Sequence, residues 1–275
     1  NEIIPISVSK GSGYDTFLTN AGESERKGVE ITFNATPIKT EDFNWDFTFN
    51  FGKNKTTVIS LPGDLKSLNA PGGADAYGFA TVVHELGNEW GQLRGTAIKR
   101  DAQGNAVINS NGTYAVNPGQ YLGSVLPDFT GGIINSIRYK DFSLNAAIDF
   151  QKGGKFFSLS EMWGASSGLT AETAALNDKG INVREAVADG GGVHVKGVDA
   201  AGAPVDKYAE GYTYFTQFYG NRLAENYIHN ASYMKLRDVS LTYSLPKSLL
   251  KNMFSSATIS VVGRNLLMIA VAKDN

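Results

Sequence analysis

Hydrophobic and polar residues alternate strictly along residues 28–55, and this stretch predicts the first regular part of the fold. The positions on its apolar face are Val29, Ile31, Phe33, Ala35, Phe43, Trp45, Phe47, Phe49 and Phe51. A period of two is typical of a β-strand whose two faces meet different surroundings. The short polar segment PIKTED divides the stretch into halves, so we predict one antiparallel hairpin.

Two further regions show the same alternation. Residues 142–151 follow a tight Lys140-Asp141 connection and place apolar side chains at every second position, which predicts a second hairpin with a very short turn. Near the end of the chain, residues 239–245 and 257–261 alternate on either side of the segment PKSLLKNMFSS, for which we expect a compact connection with one helical turn.

The lengths of the connections differ in a regular order. Two long segments, residues 61–127 and 158–229, are rich in glycine and proline and predict folded loops, the second partly helical, whereas the connections between them are short. Outer-membrane barrels have short turns at one end and long extracellular loops at the other. A soluble β-sandwich distributes its loop lengths over both ends. The pattern therefore favours a transmembrane antiparallel β-barrel, with the sandwich as the alternative.

Composition narrows the classes of protein. The 275 residues have a formal charge of −2, so the chain has no net positive charge to attract nucleic acid. The sequence contains no cysteine. No apolar run approaches the roughly 18 residues of a membrane-spanning helix. The chain opens on NEIIPISVS, which has the pattern of a strand interior and not of a signal peptide, and we expect it to be a piece of a larger protein.

The motifs give no indication of catalysis. His84-Glu85 begins like a zinc-protease HExxH motif, but Asn88 stands where the second histidine must be. Neither His194 nor His229 has a metal-ligand cluster nearby in sequence, the triple glycine at 190–192 lacks the lysine of a phosphate loop, and no serine lies in a GxSxG motif. We therefore predict no cofactor, no metal and no enzyme activity.

Four segments, which occur in order, resemble the SusC/RagA-like TonB-dependent transporters of the Bacteroidetes outer membrane. They are NAGESERKGVEITFNATPI with the following FNWDFTFNFGKNK, then YLGSVLPDFTGGIINSIRYKDFSLNAAIDFQKGG, NASYMKLRDVSLTYSLPKSLL and SATISVVGRNLL. The resemblance implies a barrel of about 22 strands around a plug. Residues 1–275 would supply about seven strands from the C-terminal part of that barrel, with the plug domain and the terminal strand outside this sequence.

The resemblance also implies a function and partners. It implies TonB-dependent import of oligomeric nutrients, glycans or peptides, across the bacterial outer membrane, with a SusD-like surface lipoprotein as a lid and with the TonB complex bound through the missing N-terminal part. A siderophore or cobalamin importer of the same architecture is the first alternative. A soluble extracellular carbohydrate-binding β-sandwich is the second, and a polysaccharide lyase is a distant third.

Aromatic residues of the long loops are the candidates for substrate contact, because an exposed ring stacks on a sugar face or a peptide side chain at little entropic cost. They are Tyr77, Trp90, Tyr114, Tyr121, Trp163, Tyr212 and Tyr214. The alternative for each is packing in the loops' own small cores.

On the strands, polar residues are expected to face the barrel lumen and to bond neighbouring strands or the plug. They are Asp46, Asn50, Asn145, Asp149, Lys235, Arg237 and Arg264.

Overall fold

A seven-stranded antiparallel sheet dominates the computed structural model, which describes residues 2–70, 78–250 and 254–272, with the backbone alone for residues 2–7, 16 and 19–21. Strands are numbered along the whole chain, and their order in this sheet is β1-β2-β3-β8-β9-β14-β15. Their bounds are β1 Glu2–Ser7, β2 Thr16–Lys39, β3 Phe43–Ser60, β8 Pro127–Tyr139, β9 Phe142–Gly153, β14 Tyr233–Ser244 and β15 Thr258–Val271.

The three predicted hairpins are confirmed. Residues 40–42 join β2 to β3, residues 140 and 141 join β8 to β9, and the β14–β15 connection contains the short helix α3, Lys247–Leu250. Because neighbouring strands run antiparallel, these short connections share one end of the sheet, and both long connections leave from the other end. Some boundaries differ from expectation. Strand β2 begins at Thr16, so the polar segment 20–28 lies within it, and it runs to Lys39, which takes in the first half of PIKTED. Strand β15 continues past Gly263 to Val271.

Strand registers set the two faces of the sheet. Phe49 on β3 pairs with Ile133 on β8, which pairs with Ile148 on β9, and all three belong to the apolar set of alternate positions. The neighbouring residue Ile134 pairs with Thr48 and Ala147 on the opposite face. A shift by one residue would exchange the faces, so the alternation itself specifies this register.

One glycine allows a close approach within the sheet. Gly131 pairs with Phe150, and a β-carbon at position 131 would lie 2.6 Å from the carbonyl oxygen of Asn50. The ring of Phe150 occupies the space over Gly131, 6.4 Å from the rings of both Phe49 and Phe129. A side chain at position 131 would displace this aromatic cluster.

The chain divides into two compact units. Residues 25–57, 126–154 and 230–275 form the unit that carries most of the large sheet, and residues 1–24, 58–125 and 155–229 form the other. The two long connections make up most of the second unit. Besides β1, the start of β2 and the end of β3, this unit contains the strands β4 Ser67–Asn69, β5 Ala80–Glu85, β6 Gln92–Ile98, β7 Val116–Ser124, β10 Lys155–Phe157, β11 Val193–Val198, β12 Pro204–Ala209 and β13 Ile228–Asn230, and the helices α1 Leu159–Ser166 and α2 Gly211–Gly220.

The long connections are folded, as predicted, but their regular elements lie elsewhere than the pattern indicated. Residues 61–127 contain a four-stranded sheet of β4 to β7. Helices α1 and α2 lie on either side of residues 171–191, which form 3₁₀ turns, loops and an isolated β-bridge between Leu176 and Asn182. Met162 of α1 and Leu223 after α2 are fully buried, and Phe218 and Tyr227 pack edge to face beside them with ring centres 5.3 Å apart. This small core holds the loop unit together.

No helix among residues 2–70, 78–250 and 254–272 is long and apolar enough to cross a membrane.

A polar latch connects the β11–β12 hairpin to the loop before it. His194 Nδ1 lies 2.6 Å from Asp178 Oδ2, and its Nε2 lies 2.5 Å from Asp206 Oδ1. The imidazole stacks on Tyr208 at 4.6 Å, and the Tyr208 hydroxyl donates to Asp178 over 2.5 Å. Lys196 also pairs with Asp206, and the ammonium of Lys179 lies over the Tyr208 ring. A histidine between two carboxylates is stabilised in its protonated form.

Protonation shifts follow from this geometry. Hydrogen bonds with Asp206 and Asp178 raise the pKa of His194 above 6.5. Hydrogen bonds from Tyr208 and His194 lower the pKa of Asp178, and those from His194 and Lys196 lower the pKa of Asp206, both below 3.8. The bond to Asp178 raises the pKa of Tyr208 to about 12, so its hydroxyl stays a donor.

We predict that the latch protects the hairpin in a defined pH window. Protonated His194 contributes fully to the stability of the hairpin below pH 6.5, and this contribution is lost as the pH rises through its raised pKa. The contributions of ionised Asp178 and Asp206 are lost in the other direction, as the pH falls through their lowered pKa values. Hydrogen-exchange protection factors for residues 193–209, corrected for intrinsic rates, should therefore fall as the pH rises above 6.5 and through the raised pKa of His194. A His194→Gln variant should show lower protection without this fall, and an unchanged pH profile in that variant would contradict the assignment.

Candidate functional site

The apolar face of the large sheet is exposed to an unusual degree. Phe33 is 55% exposed, Leu241 49% and Val261 72%, and each lies on an apolar strand face predicted from the alternation. A soluble sandwich would bury such a face against a second sheet. Large contiguous apolar surfaces on proteins mark contacts with a partner or with lipid. The sandwich alternative therefore does not fit the exposed face that the structure presents.

One polar side chain on this apolar face is paired. Asn135 lies opposite Phe47, and its Oδ1 accepts a hydrogen bond of 3.1 Å from the indole Nε1 of Trp45. This hydrogen bond gives the indole N–H, the one polar hydrogen of the Trp45 ring, a partner on the neighbouring strand. In an apolar environment, the side-chain amide of Asn135 would be unfavourable without a hydrogen-bond partner.

The opposite face carries a ladder of short polar bonds between β2 and β3. Thr36 donates to Asp46 over 2.7 Å, Thr48 donates to Asn34 over 2.8 Å, and Thr32 donates to Asn50 over 3.1 Å. The strand residues Asp46 and Asn50 thus bond the neighbouring strand, as expected for wall residues. A surface of this kind suits water or polar protein groups.

Asp149 is the centre of a second polar cluster on this face. It accepts hydrogen bonds from Arg237 over 2.5 Å and from the hydroxyl of Tyr233 over 3.0 Å, both on β14. Its Oδ1 is buried and has no hydrogen-bond partner among the described residues. The cluster lines a groove of about 570 Å³ together with Arg26 and Glu30 of β2. Tyr233 is the member that alternation did not reveal, because it reaches Asp149 only through the β9–β14 pairing.

The remaining strand polar residues make weaker contacts. Asn145 donates to Ser240 over 3.4 Å, and Arg264 lies 3.6 Å from Asp238. Lys235 pairs in register with Asp149 across β9 and β14. These contacts are all between neighbouring strands, so they support the expected structural role.

The structure brings two of the predicted aromatic residues together. The Tyr114 and Tyr214 hydroxyls lie 3.4 Å apart, and their rings are edge to face at 6.0 Å. Both pack against the buried clusters of the loop unit, and burial raises the pKa of Tyr214 well above its usual range. Their rings therefore contribute to the internal packing of the loops, and their role as substrate contacts stays a prediction.

The other predicted aromatics are separate from this pair. Trp90 stacks on His84 at 4.3 Å, and Trp163 on α1 lies 6.4 Å from Tyr219 on α2. Tyr121 on β7 is 57% exposed, and Tyr212 at the start of α2 is 82% exposed. Tyr77 lies outside the described residues. Tyr212 and Tyr121 thus present the most ring surface to a ligand.

The histidine that begins the zinc-like motif has a structural environment. His84 lies on strand β5 and not on a helix, and its Nδ1 accepts the Gly91 N–H over 3.3 Å. Across the part of the chain that the structure describes, no cluster of three or more His, Asp or Glu side chains is arranged to hold a metal ion.

Comparisons with known proteins point in one direction. The chain is 26% identical over 294 aligned residues to TonB-dependent receptor P3 of Formosa agariphila, covering 96% of this chain and 26% of the receptor. It is 24% identical to TonB-dependent receptor SusC of Bacteroides thetaiotaomicron, covering 94% of this chain and 24% of SusC. No protein-family model matches the chain. The chain thus spans about a quarter of the length of these curated relatives.

Solved structures agree with the sequence comparison. The structure of the RagAB peptide importer in its closed-closed state aligns with this chain at a TM-score of 0.62 and 18% identity. The alignment covers 98% of this chain and 29% of the RagAB chain. The open-open state of the same importer matches 98% of this chain with a TM-score of 0.63 at 19% identity. At such identities the structural match establishes the fold.

The sequence relatives and the shared fold together confirm the resemblance found in the sequence: over nearly its whole length this chain is similar to the SusC-type TonB-dependent receptors, and it has the fold of the matching part of the RagAB importer.

Proposed function

We propose that the chain forms part of the barrel wall of a bacterial outer-membrane importer, which takes up oligomeric glycans or peptides in a TonB-dependent manner. The observation that carries the proposal is the large sheet with one exposed apolar face and one hydrogen-bonded polar face. In a bilayer the apolar face contacts lipid and the polar face lines the lumen. The strands at the edges pair with the rest of the barrel, because lipid cannot satisfy unpaired backbone groups.

The polar face supports a filled lumen. The groove beside Asp149 also contains the charged side chains of Arg26 and Glu30, so a hydrogen-bond donor from outside this chain would find an acceptor at Glu30. A barrel plug is the expected source of that donor. Energy from the TonB complex would reach the transporter through that plug and not through the wall.

The loop unit supports a role outside the membrane. Both long connections leave the same end of the sheet, and the segment between α1 and α2 exposes Leu169 at 83% and Leu176 at 66%. Exposed apolar side chains of this size are typical of binding surfaces. We propose that they contact a SusD-like lipoprotein lid on the cell surface. The related RagAB structures are described as a peptide importer, which makes a peptide substrate one of the two classes considered.

A siderophore or cobalamin importer is the second candidate. It shares the barrel but works without a lid, so the two candidates differ in whether the loop unit has a protein partner. The likeness to the RagAB structures, which are described as a peptide importer, supports the first candidate.

The first prediction of this proposal concerns the bilayer. Ile133 and Ile134 are adjacent residues at the middle of β8 that face opposite sides of the sheet. An Ile133→Arg change should destabilise the full-length barrel by about 2–4 kcal/mol, because it places a charge in lipid near the midplane. Unfolding by urea in lipid vesicles would measure this cost.

The matched control is Ile134→Arg. Ile134 is 41% exposed on the polar face, so arginine there should fold with little loss of stability. Equal sensitivity at the two positions, or greater sensitivity at Ile134, would refute the assignment of the faces.

The second prediction concerns the lid. A Leu169→Asp, Leu176→Asp double variant should reduce co-purification of the surface lipoprotein with the full-length transporter, because both side chains would lose their apolar contacts. Leu249→Asp is the control, since Leu249 is 62% exposed but lies in the β14–β15 connection at the short-loop end of the sheet. Unchanged co-purification in the double variant, or a transporter with no surface partner, would favour the siderophore-type importer.

A further inference from the structure

A pocket of about 380 Å³ lies in the loop unit, between the end of α1 and the start of α2. Its volume falls within the ~300–1,000 Å³ range of small-molecule sites. The walls include Ala165 and Phe215, which give an apolar floor, and Tyr212, a residue that is 82% exposed. A flat ring beside an apolar floor suits the carbon-bound face of a sugar.

Arg184 provides a fixed positive charge in this pocket. Its Nε donates to the Thr173 carbonyl over 2.7 Å, and its Nη2 donates to the Gly168 carbonyl over 2.5 Å and to Thr173 Oγ1 over 3.0 Å. Gly168 has φ +74°, a left-handed conformation that glycine adopts without strain and that turns the chain at the end of α1. The guanidinium is therefore held in one orientation by uncharged groups.

The charge of Arg184 is not neutralised within the described chain. No carboxylate of the described residues forms an ion pair with it, and its Nη1 makes no hydrogen bond to them. Two N–H donors of the guanidinium are thus available to a ligand. An arginine in this state binds a carboxylate through charge-assisted hydrogen bonds.

Hydroxyl groups around the pocket complete its polar chemistry. Ser166 donates to the Phe215 carbonyl over 3.2 Å, and Thr216 donates to the Tyr212 carbonyl over 2.7 Å. Their oxygen lone pairs remain able to accept hydrogen bonds. The hydroxyl of Ser167 makes no hydrogen bond to the described residues and can donate or accept. A ligand with its own hydroxyl groups would match these acceptors.

We infer that this pocket binds a carboxylate-bearing sugar residue of an oligosaccharide. The carboxylate would meet Nη1 of Arg184, the ring face would stack on Tyr212, and the sugar hydroxyls would donate to Ser166 and Thr216. The terminal carboxylate of a peptide would also meet Arg184, and its N–H groups would match the hydroxyl acceptors, but a peptide backbone offers no saturated ring face to stack on Tyr212. The inference rests on the proposed import of oligomeric nutrients and narrows the substrate to an acidic glycan.

The test uses the full-length transporter purified in detergent, with calorimetric titration of tetragalacturonate and of its fully methyl-esterified form. The wild-type protein should bind the acid at least about tenfold more tightly than the ester, because only the acid forms the charge-assisted bonds. Tyr212→Ala should weaken binding of both probes about 3- to 10-fold through loss of stacking. Tyr139→Ala, which removes a tyrosine 54% exposed on β8, is the matched control and should change neither affinity.

A charge variant tests the role of the guanidinium without removing its anchoring bonds. Ser167→Asp places a carboxylate in the pocket wall, so it should remove the preference for the acid over the ester. Ala201→Asp in the β11–β12 turn adds the same charge elsewhere and should leave the preference intact. Equal wild-type affinity for acid and ester, or a Ser167→Asp protein that keeps the preference, would overturn the inference.

Two further measurements separate the possible failures. Tetra-alanine with a free carboxylate and tetra-alanine with a C-terminal amide should both bind weakly. A different result would assign the pocket to a peptide terminus: the wild-type protein prefers the free carboxylate to the amide, Ser167→Asp removes that preference, and tetragalacturonate does not bind. Lid co-purification and barrel folding are followed in the same preparations. Loss of acid binding with both of these intact contradicts only the inference, whereas their absence contradicts the proposed function itself.

Discussion

The structure depends on one constraint, the alternation of side chains across a continuous antiparallel ladder. Each of β2, β3, β8, β9 and β14 has a hydrogen-bonded neighbouring strand on either side, so these interior strands satisfy main-chain groups within the sheet itself. Alternation then separates the side chains into two surfaces. The aromatic and aliphatic surface remains exposed, and the other joins threonine, asparagine and aspartate in short hydrogen bonds. Lipid on one side and polar groups on the other satisfy both surfaces at once.

The loop unit is stabilised by side-chain packing and not by a long strand ladder. Its strands are short, and its stability comes from a small core in which Met162 and Leu223 are fully buried and Phe218, Tyr227 and Tyr214 pack edge to face. Polar bonds then hold segments that are distant in sequence. Glu225, for example, accepts the Ile98 N–H over 2.6 Å and pairs with Arg100 at 2.8 Å. Such fixed loops can present side chains in a defined geometry, which a long unstructured connection could not do.

Arginines illustrate how the two units use charge. Arg237 on the sheet lies 2.5 Å from Asp149, so its charge is balanced within the wall. Arg184 in the loop unit is held by carbonyl and hydroxyl oxygens, and its charge has no ion-pair partner in the described chain. The first arrangement strengthens contacts between strands. The second leaves binding capacity for a group that arrives from outside.

Sequence alone determined the hairpin strands of the large sheet, their faces and the order of short and long connections, because a period of two is a local property that each strand displays by itself. The hairpins at residues 40–42 and 140–141 were therefore predictable, as was the placement of Phe49 and Asp46 on opposite faces. The positions of α1 and α2 were not, since these helices are short and their burial depends on contacts with Leu223 and Phe79 that lie far away in sequence. Only the tertiary structure decided which loop aromatics are buried and which are exposed: Tyr114 meets Tyr214 across 100 residues, while Tyr212, two positions from Tyr214 on the same helix, projects into solvent. The isolation of Arg184 from any carboxylate is likewise a property of the folded loops, because pairing of charges depends on distances in space and not on spacing along the chain.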